Sequence, residues 1–90
     1  MKDLDKFFTN GKLVLYPSKR SKQLVVLNEI SKNFTKENYA EKEINFILKS
    51  ILQDSDYASI RRELIDLKYL KRNRDGSVYT VNFDKINNGH

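Results

Sequence analysis

The sequence predicts an α+β domain of the winged helix-turn-helix type, with a three-helix core, a short N-terminal strand and a C-terminal β-hairpin. Two amphipathic helical patterns, at residues 41–52 and 57–67, follow each other with only a short polar connection. After them, Asp75-Gly76 lies between two strand-like runs, a spacing typical of a tight hairpin. A further helical pattern at residues 19–34 supplies the first helix of the core.

Composition fits one small globular domain over residues 1–90, with residues 1–10 and 84–90 expected to be peripheral or frayed. Hydrophobic residues make up 39% of the chain and include five Phe and five Tyr, enough for a single modest core. There is no Cys, and the one His is His90, so a Cys/His zinc site and a thiol nucleophile are excluded. Only three Gly are present, which leaves no phosphate-cradling loop. We therefore expect no enzyme activity, no metal and no cofactor.

The expected compartment is the cytoplasm. The first residues carry acids and no long apolar run, unlike an export signal. No stretch approaches the roughly 18 apolar residues of a membrane span. We therefore expect no membrane partner.

The N-terminal third is predicted to contain a short helix at residues 3–8, a turn at Asn10-Gly11 and a strand at residues 12–16 that Pro17 ends. Ser18 is placed to cap the first long helix, at residues 19–34. The apolar residues of that helix recur at helical intervals. They are Leu24, Leu27, Ile30 and Phe34.

The second and third helices each present one apolar stripe to the core. Asp56 or Ser55 is the predicted N-cap of the third helix, and Tyr39 begins a brief extended segment before the second. Phe46 lies off the stripe, so it either packs on the N-terminal segment or is partly exposed. The stripe residues are Ile44, Ile47, Leu48, Ile51 and Leu52 in the second helix and Tyr57, Ile60, Leu64 and Leu67 in the third.

The net charge of +5 permits an anionic partner, and its distribution suggests where that partner would bind. Cations cluster at the start of the first helix, on the third helix and on the hairpin, with an acidic segment between. In the DNA-binding hypothesis, Ser59 and Arg62 face base edges in the major groove while the other cations meet phosphates. Those other cations are Lys19, Arg20, Lys22, Arg61, Lys71, Arg72 and Arg74.

A structural reading of the same residues remains open. Glu63 and Asp66 share the outward face with Arg62, and Arg62 and Asp66 have the spacing of a surface ion pair. Arg61 has the alternative of bridging to Glu41 or Glu43. A basic hairpin also protects an edge strand from aggregation without any ligand. Two kinds of binding partner are therefore expected as alternatives. One is duplex DNA, and the other is a protein, either a different protein or a second copy in a homodimer.

One set of residues, spread over residues 7–81, matches the pattern of a known family. They are Phe7, Phe8, Gly11, Pro17, Tyr39, Glu41, Glu43, Ile44, Asn45, Asp56, Tyr57, Arg61, Arg62 and Leu64. Through them the sequence resembles a small bacterial domain of unknown function that is also found fused behind the DNA-binding domain of some ArsR-type transcriptional regulators. The resemblance implies a winged-helix-like fold and a link with transcriptional regulation. Two departures are Ala40, where the family tends to have a capping Ser or Thr, and Tyr16 in place of an aliphatic residue.

Overall fold

The structure is a computed structural model that describes residues 6–52 and 56–88. Four helices and five short strands are described in these ranges, and buried side chains of both helices and strands form one core cluster. The elements are β1 (Phe8–Thr9), β2 (Lys12–Leu13), α1 (Arg20–Ser31), β3 (Asn38–Ala40), α2 (Glu41–Ile51), α3 (Tyr57–Asp66), β4 (Leu70–Arg72), β5 (Val78–Val81) and α4 (Phe83–Asn88). No helix in the described ranges has the length and apolar character needed to cross a bilayer.

The N-terminal part is a small hairpin. β1 pairs antiparallel with β2, and both residues of the connecting Asn10-Gly11 turn have positive φ, 54° and 81°, the geometry that suits strand twist. The sequence predicts a helix at residues 3–8, but residues 3–5 lie outside the described ranges and Phe8 is in a strand. The predicted strand at residues 12–16 stops at Leu13. Beyond Leu13 the N–H groups of Val14 and Leu15 share the Phe7 carbonyl, at 2.7 and 3.3 Å, so two residues stand opposite one and the regular pairing ends.

α1 is shorter than the predicted 19–34. Its N-cap is Lys19 and makes no side-chain capping bond, so Ser18 does not cap it as predicted. After Ser31 two tight turns, from the Asn33 N–H to the Ile30 carbonyl and from the Phe34 N–H to the Ser31 carbonyl, carry Phe34 into the core. In the predicted stripe, Leu24 is only half-buried; Val26 is fully buried instead, along with the rest of the stripe.

α2 and α3 begin with different caps. In α2 the Glu43 carboxylate accepts the Ala40 N–H at 2.8 Å, which supplies the half of a capping box that does not need a hydroxyl at residue 40. In α3 the N-cap is Asp56, one of the two predicted, since its carboxylate accepts the N–H groups of Ala58 and Ser59.

α3 ends in a Schellman motif. The Tyr69 N–H bonds to the Leu64 carbonyl at 2.9 Å, and the Lys68 N–H bonds to the Ile65 carbonyl at 3.0 Å. Lys68 therefore occupies the left-handed position, with φ 71°, that Gly usually fills. This sharp stop turns the chain directly into β4.

The predicted hairpin is one edge of a three-stranded antiparallel sheet ordered β3-β5-β4. Tyr39, predicted to be extended, lies in β3 opposite Tyr79 of β5, and Arg72 of β4 lies opposite Tyr79 on its other side. Gly76 in the hairpin turn has φ 77°, as the Asp-Gly pattern predicts. The sheet thus closes one side of the core, with α1, α2 and α3 on the other.

The C-terminal end of the described chain forms α4 rather than a frayed tail. Ile86 is the one large apolar residue in the sequence of residues 84–90 and directly precedes Asn87-Asn88-Gly89, yet it is just 6% exposed and joins the core cluster. The Asn82 side chain caps this helix by accepting the Lys85 N–H at 3.1 Å. Buried Ile86, partly buried Phe83 and the Asn82 cap together fix this helix, a signal too short for periodicity to detect.

Candidate nucleic-acid interface

Three arginine side chains from two elements meet around one concavity of about 420 Å³. Arg61 and Arg62 come from α3, and Arg72 comes from β4. The remaining lining residues are Ala58, Ile65 and Asp66. Three arginines and one acid, Asp66, are therefore among the described residues that line this concavity, and three of the predicted site residues meet there. We call it the arginine concavity.

Strand register places Arg72 in this concavity. Arg72 lies opposite Tyr79, and it shares a face of β4 with buried Leu70 because side chains two apart in a strand point the same way. The Arg72 guanidinium lies directly against the hairpin turn at Gly76. If Gly76 carried a Cβ, that atom would lie 3.2 Å from Arg72 Nε. Gly76 thus provides both the positive φ of the turn and the space for Arg72.

Arg61 is half-buried and tied to the neighbouring helix. Its Nη1 donates a hydrogen bond to the Oδ1 of Asn45 in α2, rather than to Glu41 or Glu43. Because Asn45 is neutral, this bond holds the guanidinium without neutralising its charge. Glu41 instead accepts the Tyr79 hydroxyl at 2.9 Å.

The charges of two neighbouring arginines affect the pKa of the Tyr79 phenol. Burial raises the pKa of the Tyr79 phenol, the hydrogen bond to Glu41 raises it further, and the charges of Arg61 and Arg72 act in the opposite direction. Both arginines thus lie close enough to Tyr79 to act on its hydroxyl.

Arg62 is exposed, and among the described residues it forms no ion pair or side-chain hydrogen bond, so the i,i+4 pair with Asp66 is not made. It stands between two concavities. One is the arginine concavity. The other has a volume of about 450 Å³ and is lined by Tyr16 as well as by residues of α3. Lining the second concavity are Tyr16, Asp56, Ser59, Ile60, Arg62, Glu63 and Asp66.

Arg20 does not present a free charge. Its guanidinium makes a two-point ion pair with Glu63, with Nη1 3.2 Å from Oε2 and Nη2 3.1 Å from Oε1, and Nη1 also donates to Gln23. The hydrogen bond to Glu63 raises the pKa of Arg20. The pair therefore cancels the charge of Glu63, the acid that follows Arg62.

The remaining predicted residues lie outside the arginine concavity. Ser59 donates its hydroxyl to Asp56 at 2.9 Å, as part of the α3 cap. Lys71 lies opposite Thr80, on the other face of β4 from Arg72, and lines a neighbouring groove of about 620 Å³ together with Arg72. Lys19 and Arg74 are exposed, whereas Lys22 is half-buried and interacts with a neighbouring group.

Sequence reasoning missed two residues of this region. Asn45 binds Arg61 through a hydrogen bond. Asn45 lies one turn after Glu41 on the same side of α2, and this position could have marked it as an alternative partner for Arg61. Tyr16 lines the second concavity, and its hydroxyl is buried with no hydrogen-bond partner among residues 6–52 and 56–88. Burial raises the pKa of Tyr16, Glu63 raises it further, and Arg20 acts in the opposite direction. Only the folded chain brings Tyr16 to α3.

A family model described as an uncharacterized protein conserved in bacteria, DUF2087, matches residues 12–81. The chain belongs to the DUF2087 family. The DUF2087 match begins at β2 and ends with β5, so it contains all three arginines of the concavity. Neither the curated proteins nor the solved structures provide a match.

Proposed function

We propose that this DUF2087 domain is a winged-helix module that binds duplex DNA through α3 and the basic hairpin, as a transcription regulator or as part of one. Its order of elements supports the fold: α1, β3, α2, α3 and the hairpin β4–β5, with β3 added beside β5. In a helix-turn-helix, the second helix of the pair is the one that approaches the groove. That helix is α3 here.

The observation that carries the proposal is the meeting of Arg62 and Arg72 at the arginine concavity. One comes from the helix and the other from the hairpin, with Arg61 held beside them by Asn45. A planar guanidinium binds phosphate oxygens through two parallel hydrogen bonds. Two such groups on neighbouring elements suit adjacent phosphates of a duplex.

The acids of α3 should repel DNA phosphates less than their positions in the sequence suggest. Glu63 is paired at two points with Arg20, so its charge is compensated within the fold. Among the described residues that line the arginine concavity, Asp66 is the one carboxylate. Three guanidinium charges therefore outweigh it.

The geometry favours contacts with phosphates over reading of bases. Ser59, one of two residues predicted to face base edges, already bonds to Asp56. Phosphate contacts position a protein on DNA without selecting a sequence. We therefore expect the isolated domain to bind duplexes of different sequence with similar, modest affinity.

A salt titration against a generic duplex tests the proposal. With about three to five phosphates engaged, log K falls against log salt with a slope of about −2.7 to −4.5. Fluorescence anisotropy of a labelled duplex measures this slope. Undetectable binding at low salt, or binding that salt does not weaken, contradicts the proposal.

The second candidate is a protein-interaction or sensing module on the same scaffold, without direct DNA contact. One observation favours it: Phe46 on α2 is 74% exposed. Fusion to ArsR-type regulators, which the resemblance implies, would suit either role. If Arg62→Ala leaves DNA binding unchanged, the second candidate is the better account.

A further inference from the structure

Phe46 stands apart from the other aromatic residues of the described chain. All the other Phe and Tyr side chains in the described ranges are buried or half-buried, whereas Phe46 projects from α2 with 74% of its surface exposed. The core-facing side of α2 is already occupied by Ile44, Leu48 and Ile51. Nothing in the described fold therefore covers this ring.

The ring forms one wall of an apolar groove. A concavity of about 400 Å³ lies beside it, lined by Tyr39, Lys42, Glu43, Phe46 and Ile47. Tyr39 is buried and Ile47 half-buried, so both are recessed relative to Phe46. This shape accepts an inserted side chain, as hot-spot pockets of protein interfaces do.

Positive charge flanks the ring at both ends. Lys42 and Lys49 lie four residues before and three residues after Phe46, which places all three on one side of the helix. Both lysines are exposed, and the Lys49 ammonium lies 4.9 Å from the centre of the Tyr57 ring. That contact orients Lys49 without neutralising it.

The one acid of the groove is already compensated. Glu43 accepts the Ala40 N–H at 2.8 Å and the Lys36 ammonium at 3.1 Å. These bonds, the Ala40 N–H foremost, lower the pKa of Glu43, so it is ionised and paired. The groove therefore offers an apolar pocket between two unneutralised cations.

We propose that this face of α2 binds an acidic segment of a partner protein, with an apolar side chain of that segment in the groove and its carboxylates on Lys42 and Lys49. None of these residues lines the arginine concavity, so the inference stands apart from DNA binding. A second copy fits less well, because twofold pairing about Phe46 places Lys42 opposite Lys49. A membrane surface fits less well too, because a lone aromatic beside a recess offers little apolar area to insert.

Displayed random peptides panned against the immobilised chain test the proposal, with the Phe46→Ser variant used for counter-selection. We expect the enriched peptides to carry net negative charge and at least one large apolar residue. A chosen peptide should bind Phe46→Ala and Lys42→Glu/Lys49→Glu at least roughly tenfold more weakly than the wild type. Lys12→Glu/Lys32→Glu makes the same charge change away from the groove and should bind as the wild type does.

Three outcomes overturn the proposal. The first is failure to enrich any peptide, or enrichment of basic peptides or of peptides indifferent to Phe46. The second is self-association of the wild type in sedimentation that Phe46→Ser abolishes, which assigns the groove to a second copy. The third is binding to anionic phospholipid vesicles that Phe46→Ser abolishes, which assigns it to a membrane.

Discussion

Arg20 and Glu63 join the first turn of α1 to α3 through a two-point ion pair, with N–O distances of 3.2 and 3.1 Å. Glu63 directly follows Arg62, and both line the concavity walled by Tyr16. The pair therefore sets the net charge of the face that we propose for DNA. Under that proposal, Arg20 would act on binding indirectly, through Glu63.

Glu63→Gln should tighten DNA binding, because it removes a negative charge from this face and releases the Arg20 guanidinium. The salt slope should become more negative by about one if Arg20 then reaches a phosphate. Arg20→Gln should weaken binding by leaving Glu63 uncompensated. If Arg20 acts only through Glu63, the double variant binds as the wild type does; weaker binding by Glu63→Gln contradicts this account.

The hydrogen bond between Arg61 and Asn45 makes neighbouring arginines differ in their contribution to stability. Asn45→Ala and Arg61→Met each break this bond between α2 and α3, and each should lower the free energy of unfolding by about 1–2 kcal/mol. Exposed Arg62 has no such partner among the described residues, so Arg62→Ala should change stability by less than about 0.5 kcal/mol. Urea denaturation measures all three, and equal losses at residues 61 and 62 would be evidence against these roles.

Lys68 is a site where stability is easily gained. It holds the left-handed position of the Schellman motif, with φ 71°, which a residue with a Cβ adopts at a cost of about 1 kcal/mol. Lys68→Gly should raise the free energy of unfolding by about 0.5–1 kcal/mol, measured as an upward shift of the thermal midpoint. As a control, Lys71→Gly in β4 should lower it.

Two helix caps should make stability fall in acid. Hydrogen bonds from the Ser59 hydroxyl and the Ala58 and Ser59 N–H groups lower the pKa of Asp56, and the Ala40 N–H and Lys36 lower the pKa of Glu43. A lowered pKa in the folded state means that stability is complete above the unfolded values of about 3.9 and 4.3 and is lost as pH falls through the folded values.

Urea midpoints measured from about pH 6 down to about pH 2.5 test this dependence. Asp56→Asn/Glu43→Gln should show a flatter acid limb than the wild type. Glu37→Gln is the matched control, since Glu37 is exposed and its carboxylate makes no hydrogen bond with the described residues. An acid limb that steepens in the double variant would be evidence against the capping account.

Local sequence patterns predicted three helices and the hairpin turns. The features that depend on contacts between distant residues could not be predicted in this way. The stripe of α2, the Asp56 cap and the Asp75-Gly76 turn follow from neighbours in sequence, and the structure has them. The addition of β3 to the sheet depends on contacts about 40 residues apart, which periodicity does not encode. α4 packs on the core through only two residues, Phe83 and Ile86, and so lacks a repeating signal.

The candidate site shows the same distinction between local patterns and long-range contacts. Exposed cations on α3 and the hairpin could be recognised from the sequence, because their phase places them off the apolar stripes. Their partners could not: Arg20 meets Glu63 across 43 residues, and Arg61 meets Asn45 rather than an acid. These contacts decide which of the cations keep an uncompensated charge.

The most direct measurement is the salt dependence of duplex binding by Arg62→Gln/Arg72→Gln beside Lys12→Gln/Lys32→Gln. Both double variants remove two exposed positive charges, but only the first removes them from the arginine concavity. We predict that the first binds more weakly and that its slope is less steep by about 1.8, while the second differs little from the wild type. Equal effects in the two variants would show general attraction to a basic protein and contradict a DNA site at the arginine concavity.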